Sequence, residues 1–226
     1  MPCADLHHRA LRLALAASLA LALALPLHAQ TAPQALARAL QDFEQGDRAT
    51  ATATIERLAR AGLPAAQYNL GVLHLNGQLP QARLDQALRW LRGAAEVGFV
   101  TAMFTLGQLY DSDRLGPPDL VQSQRWMLRA AEAGSVDAQV EAGTAAYLGR
   151  GTAKDAAVAA RWFRAAAAGG DVGSQYLIAS MYEHGDGVAL DLRLARYWYE
   201  IAARNGDVVA PGKVREIDAR LATLPG

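Results

Sequence analysis

The sequence has a single cysteine and no excess of either charge. Its 226 residues contain 22 Lys and Arg against 22 Asp and Glu, and the cysteine is Cys3. A neutral chain without a cluster of basic residues argues against nucleic acid as a partner. One cysteine cannot form a disulfide within the chain, so the core has to be held together by packing.

Only one long hydrophobic run is present, residues 13–25, which contain only Leu, Ala and one Ser. Two arginines precede the run and Pro26 ends it, and this arrangement predicts a secretory signal peptide over 1–29, cleaved near Ala29 and Gln30. A retained membrane anchor is the alternative, but the run is too short to span a bilayer. Cleavage would remove two of the 22 basic residues, one of the 22 acidic residues and the only cysteine, which leaves a charge of −1. We therefore expect a periplasmic or secreted protein without thiol chemistry and without a transmembrane segment in the mature chain.

Residues typical of catalysis or metal binding are also scarce. After residue 29 the only histidines are His74 and His184, and no His-x-x-x-His, Gly-x-Ser-x-Gly or Ser-x-x-Lys motif occurs. Residues 111–113 resemble the start of a calcium loop, but Leu115 and Gln122 stand where further ligands are needed. The sequence predicts no catalytic residue, no cofactor and no metal, and hence a protein that is not an enzyme.

What the sequence does contain is a period of 36 residues. Four tryptophans follow this spacing: Trp90, Trp126, Trp162 and Trp198. Four glycines do the same: Gly98, Gly134, Gly170 and Gly206. A fixed period between 20 and 50 residues is typical of a repeat array, in which stacked copies share one continuous core.

Each period contains two helical stretches separated by a turn. In the last copy the turn has Gly185 and Gly187, and Asp191 precedes the second helix as an N-cap. The tryptophans fall on the apolar stripe of the second helix, which predicts packing in the core. His74 takes the place held by a tyrosine in two other copies, which predicts a packing role for it too.

Small residues are predicted to let the two helices approach closely. On the first helix they are Gly71, Gly107, Gly143 and Ala179. The facing residues on the second helix are Ala87, Ser123, Ala159 and Ala195.

The combined pattern resembles a known repeat. Ala-x-Gln-Tyr-x-Leu-Gly, a glycine-rich turn, Asp, and Ala-x-x-Trp-x-x-x-Ala-Ala-x-x-Gly together are similar to the Sel-one-like repeat (SLR) family, a relative of the tetratricopeptide repeat, over residues 65–206. The resemblance implies an all-α fold, an α/α solenoid wound as a right-handed superhelix, made of four 36-residue helix-turn-helix repeats with capping helices at both ends. It also implies that the protein binds other proteins along a concave face and has no activity of its own.

The predicted division of the chain follows from this period. It consists of a signal peptide at 1–29, a degenerate capping hairpin at 30–64, repeats at 65–98, 99–134, 135–170 and 171–206, and a C-terminal capping helix at 207–226. Repeat one departs from the pattern, since Arg83 stands where the others have Asp, and its turn at 76–83 lacks the second glycine. Repeat two has an irregular turn at 111–118, and Phe99 occupies a capping position. Either decay of the pattern or specialisation for binding would account for these departures.

The predicted function is a non-enzymatic periplasmic scaffold that binds another protein. The resemblance implies roles such as regulating an envelope sensor or organising an export or polysaccharide assembly. Binding of peptidoglycan or another glycan is one alternative. A hydrolase acting on β-lactams, proposed for some Cys-rich relatives, is another, but this chain has no cysteine after Cys3.

The predicted concave face takes three positions from each first helix, placed as in a tetratricopeptide repeat. They are Tyr68, Val72, Leu75, Phe104, Gln108, Asp111, Val140, Thr144, Tyr147, Tyr176, Ser180 and Glu183. For Tyr68, Phe104 and Tyr176, packing between repeats is an equal alternative. The polar members, among them Asp111 and Glu183, are expected to have no packing role. The irregular turns at 76–83 and 111–118 are the alternative binding site.

Overall fold

A computed structural model describes residues 30–223, and the regular elements within that part of the chain are α-helices. The predicted signal peptide, residues 1–29, lies outside the described residues. In chain order the helices are α1 (Ala32–Gln45), α2 (Arg48–Arg60), α3 (Pro64–Leu75), α4 (Leu84–Glu96), α5 (Val100–Asp111), α6 (Leu120–Glu132), α7 (Val136–Leu148), α8 (Ala156–Ala168), α9 (Val172–His184), α10 (Leu192–Arg204) and α11 (Ala210–Ala222).

The helices stack in the order of the sequence. Each one makes its main contacts with the helix before it and the helix after it. The first and second helices of the four repeats are α3 and α4, α5 and α6, α7 and α8, and α9 and α10, while α1 with α2 precedes them and α11 follows. This linear order of contacts is that of an α/α solenoid, and the predicted fold class is confirmed.

Aspartates fix the beginnings of the second helices, as the sequence predicts. The carboxylates of Asp119, Asp155 and Asp191 accept hydrogen bonds from backbone amides in the first turns of α6, α8 and α10. These bonds satisfy amides that have no partner inside the helix. In α4 the residue at this position, Arg83, makes no cap and instead pairs with Asp85 at 2.8 Å.

Glycines end the repeats in a left-handed backbone conformation. Gly98, Gly134, Gly170 and Gly206 have φ values of 94°, 92°, 98° and 103°. A residue with a Cβ atom adopts this conformation only at an energetic cost, so the spacing of these glycines sets the length of the repeat.

The tryptophans pack against the core, as the sequence predicts, but they are only half-buried. The fully packed position is the residue that follows each of them: Leu91, Met127, Phe163 and Tyr199, all 5% exposed or less. The tryptophans lie at the edge of the core, and arginine side chains cover three of them, with guanidinium carbons 4.6–5.6 Å from the ring centres of Trp90, Trp126 and Trp162. Aromatic faces attract such cations at a partly wet surface.

The small residues of the first helices pack against the second helices, as predicted, and they also make room for a large side chain. Ala87, Ser123, Ala159 and Ala195, which were predicted to face them, are all buried. The space left by a missing Cβ, however, is taken by the large side chain one turn further along the second helix. A Cβ built on Gly71 would lie 2.8 Å from Leu91, and one on Gly143 would lie 2.8 Å from Phe163. Glycine here makes room for a large residue of the partner helix.

Candidate protein-binding surface

The twelve predicted surface residues form three columns along the solenoid, each with one member on α3, α5, α7 and α9. The first column packs between repeats. Its members, Tyr68, Phe104, Val140 and Tyr176, are half-buried. The ring centres of Tyr68 and Phe99 are 5.4 Å apart and those of Tyr176 and Tyr199 are 5.0 Å apart. For the aromatic members the packing interpretation therefore accounts for the contacts they make.

The second column is at least partly accessible in every repeat. Gln108 is exposed, Thr144 and Ser180 are half-buried, and Val72 packs against the core between repeats one and two. Ser180 also lies beside His184, whose Nδ1 donates a hydrogen bond of 2.8 Å to the Ser180 carbonyl oxygen. Because that carbonyl can only accept, the proton of neutral His184 sits on Nδ1 and Nε2 is the acceptor.

The third column joins neighbouring repeats. Three of its members contact the turn of the next repeat, 39 residues later in the chain. Arg114 donates to the Leu75 carbonyl oxygen at 2.6 Å, Arg150 donates to Asp111 at 2.6 Å, and the Tyr147 hydroxyl donates to Asp186 at 2.8 Å. The expectation that Asp111 has no packing role was therefore wrong. Its carboxylate is one half of an ion pair between repeats.

Glu183, the last member of this column, corrects the prediction most clearly. Its side chain is only 3% exposed, and it accepts hydrogen bonds from the Tyr199 hydroxyl at 2.8 Å and from Arg220 of α11 at 2.9 Å. Lys213 lies 3.4 Å away. Burial alone would raise the pKa of Glu183, but the Tyr199 hydrogen bond and the Lys213 charge outweigh it and hold the pKa below its usual value. Glu183 thus attaches the C-terminal helix to repeat four and does not belong to an accessible surface.

An open cleft between α7 and α9 brings three predicted residues together. It has a volume of about 340 Å³, and Thr144, Tyr147 and Ser180 lie in its walls. Phe163 and Met181 also line it. Three large hydrophobic side chains on its walls are exposed to solvent: Tyr147 (37%), Leu148 (65%) and Leu177 (42%).

The same position one repeat earlier is closed. Between α5 and α7 the corresponding cavity measures only about 20 Å³. There Asp111 replaces Tyr147 and pairs with Arg150, and Glu141 takes the place of Leu177. A charged site that is closed by an ion pair gives way, one repeat later, to an open apolar one.

The repeat seen in the structure is that of a known family. Four consecutive Sel1 repeats match residues 64–99, 100–135, 136–171 and 172–207. This chain belongs to the Sel1 repeat family. The resemblance drawn from the sequence is thereby confirmed, and proteins with Sel1 repeats are generally scaffolds for protein interactions, without enzymatic activity of their own.

Two solved structures of Sel1 repeat proteins are similar to the chain. One is a protective antigen present in uropathogenic Escherichia coli strains that displays an SLR fold, with 28% identity over 85% of this chain and 42% of that one and a TM-score of 0.73. The other is a Sel1 repeat protein from Oxalobacter formigenes, with 32% identity over 75% of this chain and 49% of that one and a TM-score of 0.66. The chain matches less than half the length of both relatives. A comparison with curated proteins finds no match.

The Sel1 repeats here show no ready-made metal site. Within residues 30–223, no three His, Cys, Asp or Glu side chains come close enough together to hold a metal ion. No helix in the same part of the chain is long and apolar enough to cross a membrane.

Leu148 and Leu177 were missed by reasoning from the sequence, although the repeat contains the signal. At the position of Leu177 the other copies have Asn69, Thr105 and Glu141, and at the position of Leu148 they have Asn76, Ser112 and His184. An apolar residue where every other Sel1 copy is polar indicates a local change in the surface, and both leucines border the same cleft.

Proposed function

We propose that this Sel1 repeat protein is an exported scaffold that binds a segment of another protein in the cleft between α7 and α9. The observation that carries the proposal is the exposure of Tyr147, Leu148 and Leu177 around one cleft. Contiguous apolar side chains at the surface of a soluble protein mark interaction sites. An apolar side chain anchored in such a pocket contributes much of the affinity of a protein interface.

The rigidity of the cleft supports this function. Its two walls are the helices α7 and α9. Ser135 caps the N-terminus of α7 and Asp171 caps that of α9, each through a side-chain hydrogen bond. The Tyr147–Asp186 hydrogen bond ties the ring of Tyr147 to the turn that follows α9. A cleft that is already ordered loses little conformational entropy when a partner binds.

The position of the cleft can be tested by site-specific photo-crosslinking in cells. A photoreactive phenylalanine at position 177 is expected to give a discrete adduct with one partner, and the same group at Val121, which is 62% exposed on α6, serves as the control. Excess wild-type protein should compete for the adduct, whereas the Leu177→Glu variant should not, since it restores the residue type of the closed site. Identical adducts from both positions would contradict the proposal.

The rival glycan hypothesis predicts a different result. If the cleft held peptidoglycan, wild-type protein would sediment with purified sacculi and Leu177→Glu would not. Sedimentation of wild type and variant in equal amounts, or of neither, would exclude the cleft as a glycan site.

Export rests on the hydrophobic run at 13–25 and the small residue at Ala29. N-terminal sequencing of the protein from the cell envelope or the medium is expected to begin near Gln30. An intact chain found with the cytoplasmic fraction would refute export and leave the proposed binding cleft untouched.

A further inference from the structure

A larger cleft than the one between α7 and α9 lies in the first repeat. It has a volume of about 620 Å³ and is formed by α2, α3, α4 and the turn between α3 and α4. Leu70 and Leu79 contribute apolar surface, and Trp90 lines one side. His74, Glu56 and the arginines Arg60, Arg83 and Arg89 line it as well.

The repeat provides its own reference for this cleft. Positions 108 residues later, three repeat lengths, enclose a pocket of only about 130 Å³ between α8 and α9. Five lining residues correspond between the two sites: Thr52 to Ala160, Glu56 to Arg164, Leu70 to Ile178, His74 to Tyr182, and Pro80 to Val188. The same architectural position is nearly filled in repeat four and wide open in repeat one.

Two substitutions explain the difference. In repeat four the ring of Tyr182, which is 9% exposed, occupies the space, and Gly187 lets the turn settle onto α8, since a Cβ there would lie 2.3 Å from the Ala156 carbonyl oxygen. In repeat one the shorter His74 replaces the tyrosine, and Leu79 replaces the glycine. A leucine cannot approach the preceding helix so closely, so the turn stays further away and the cleft remains open.

The polar groups of the cleft are incompletely satisfied. The Nδ1 atom of His74 is buried and has no hydrogen-bond partner among residues 30–223. Buried polar atoms are otherwise nearly always paired, because leaving one unpaired costs free energy. Burial lowers the pKa of His74 from its usual value, although the charges of Glu56 and Asp85 act in the opposite direction. At neutral pH the imidazole is therefore uncharged and can both donate and accept a hydrogen bond.

The charge of the cleft favours an anion. Three arginines line it: Arg60 is paired with Glu56 at 2.7 Å and Arg83 with Asp85 at 2.8 Å, which leaves Arg89 without an acidic partner among residues 30–223. Arg83 stands where the other repeats carry the capping Asp, so this position contributes a positive charge in place of a negative one. Arg89 lies over the Trp90 ring with its guanidinium carbon 5.6 Å from the ring centre, and its five N–H donors suit the planar geometry of a carboxylate.

We infer that this cleft, defined by His74, Arg83, Arg89 and Trp90, is a binding site for a carboxylate-bearing ligand. The Arg89 guanidinium holds the carboxylate, the uncharged imidazole of His74 takes a hydrogen bond from or gives one to the rest of the ligand, and the leucines cover its apolar part. A volume of this size suits a small molecule or a chain terminus of two or three residues. Both sources present the same carboxylate, and the irregular turn of repeat one is then a specialisation for binding.

The test follows the imidazole signals of His74 by NMR, assigned by their loss in His74→Tyr, during titration with three probes. N-acetyl-alanyl-leucine presents a chain terminus, its C-terminal amide lacks the charge, and succinate presents a free dicarboxylate. We expect saturable shifts of the His74 signals, without shifts of His184, and at least about tenfold tighter binding of the acid than of the amide, since charge-assisted hydrogen bonds are the stronger ones. The tighter of the two acids identifies the source of the carboxylate.

Matched variants distinguish a built site from general attraction to arginine. Arg89→Gln should weaken binding about tenfold, whereas Arg161→Gln should leave it unchanged, because Arg161 stacks on Trp162 at the same 5.6 Å but lies in repeat three. His74→Tyr, in which binding is followed through the indole signal of Trp90 in the same cleft, should abolish binding by filling the cleft as Tyr182 fills its counterpart. Equal binding of acid and amide, equal losses from the two arginine variants, full affinity in His74→Tyr, or no shift of His74 up to about 20 mM of either acid would each overturn the inference.

Discussion

Replacing Gly143 with alanine should destabilise the wild-type protein but stabilise a variant in which Phe163 is also replaced by alanine. Gly143 lies in α7, where alanine is normally favoured over glycine by about 1 kcal/mol. A Cβ at this position, however, would meet the Phe163 ring at 2.8 Å, and Phe163 is only 4% exposed and therefore held by its neighbours. Overpacking of this kind costs about 1–3 kcal/mol. The net effect of Gly143→Ala is a loss of up to about 2 kcal/mol.

The sign changes in the Phe163→Ala background. That substitution alone should cost about 3–5 kcal/mol, as for other buried phenylalanines. Once the ring is gone, alanine at position 143 stabilises the protein by about 1 kcal/mol through its higher helix propensity. Its methyl group also fills part of the cavity, which stabilises the protein by about a further 0.8 kcal/mol. The two positions should therefore be coupled by about 2–4 kcal/mol.

Urea melts followed by circular dichroism at 222 nm on the four proteins of this cycle measure the coupling. Gly212→Ala is the control, because Gly212 is exposed on α11 and its nearest neighbour for a new Cβ is an Arg215 nitrogen at 3.9 Å. There alanine should stabilise by about 0.5–1 kcal/mol. If Gly143→Ala stabilises the protein by a similar amount in both backgrounds, Gly143 does not make room for the Phe163 ring.

Three further predictions concern the edge of the core and the C-terminal attachment. Trp162→Ala should cost about half as much as Phe163→Ala in the same urea melts, because the tryptophan is half-buried; an equal loss would contradict the packing described here. Arg220→Ala should lower the free energy of unfolding by about 1–3 kcal/mol, because it removes a partner of the buried Glu183 carboxylate; the loss is limited because Lys213 remains and Arg220 is partly exposed. Protection of the α11 amides in hydrogen exchange should fall with it. An unchanged melt would show that the ion pair is not formed. The pKa of Glu183 is lowered in the folded protein, so its contribution to stability is present above the pKa of an unfolded glutamate and is lost as the pH falls through the folded value. Glu183→Gln should therefore flatten the decline of the melting temperature between about pH 5 and pH 3. An identical decline in the variant and the wild type would refute this.

The 36-residue period made most of the fold predictable, because the residues that set it act locally. A capping aspartate such as Asp155 needs only the amides that follow it, and Gly170 needs only its own backbone conformation. Periodicity could not separate Trp162 from Phe163, since both fall on the apolar stripe and a one-residue difference in direction decides which of them is buried. The structure shows that Phe163 is the buried residue of the two.

The binding surface was harder to predict for a related reason. Glu183 is polar, and a polar residue on a first helix is expected at the surface. Its burial depends on Arg220, a residue outside the repeats that reaches it from α11. Comparing equivalent positions in different repeats does identify candidate sites from the sequence. Leu177 stands where another repeat has Glu141, and His74 stands where another has Tyr182; each difference marks a change in the local surface.

The contacts between the third-column residues and the next turn also limit how far the chain must search to fold. No side-chain hydrogen bond within residues 30–223 joins residues more than 39 positions apart. Chains with such local contacts fold fast, because few long loops have to be closed before stabilising contacts form. A hairpin can therefore dock as soon as the next one or two helices are available, long before the rest of the array exists. In a chain exported as proposed, which emerges progressively from a translocation pore, this order would let the solenoid assemble one repeat at a time, with only its growing end exposed.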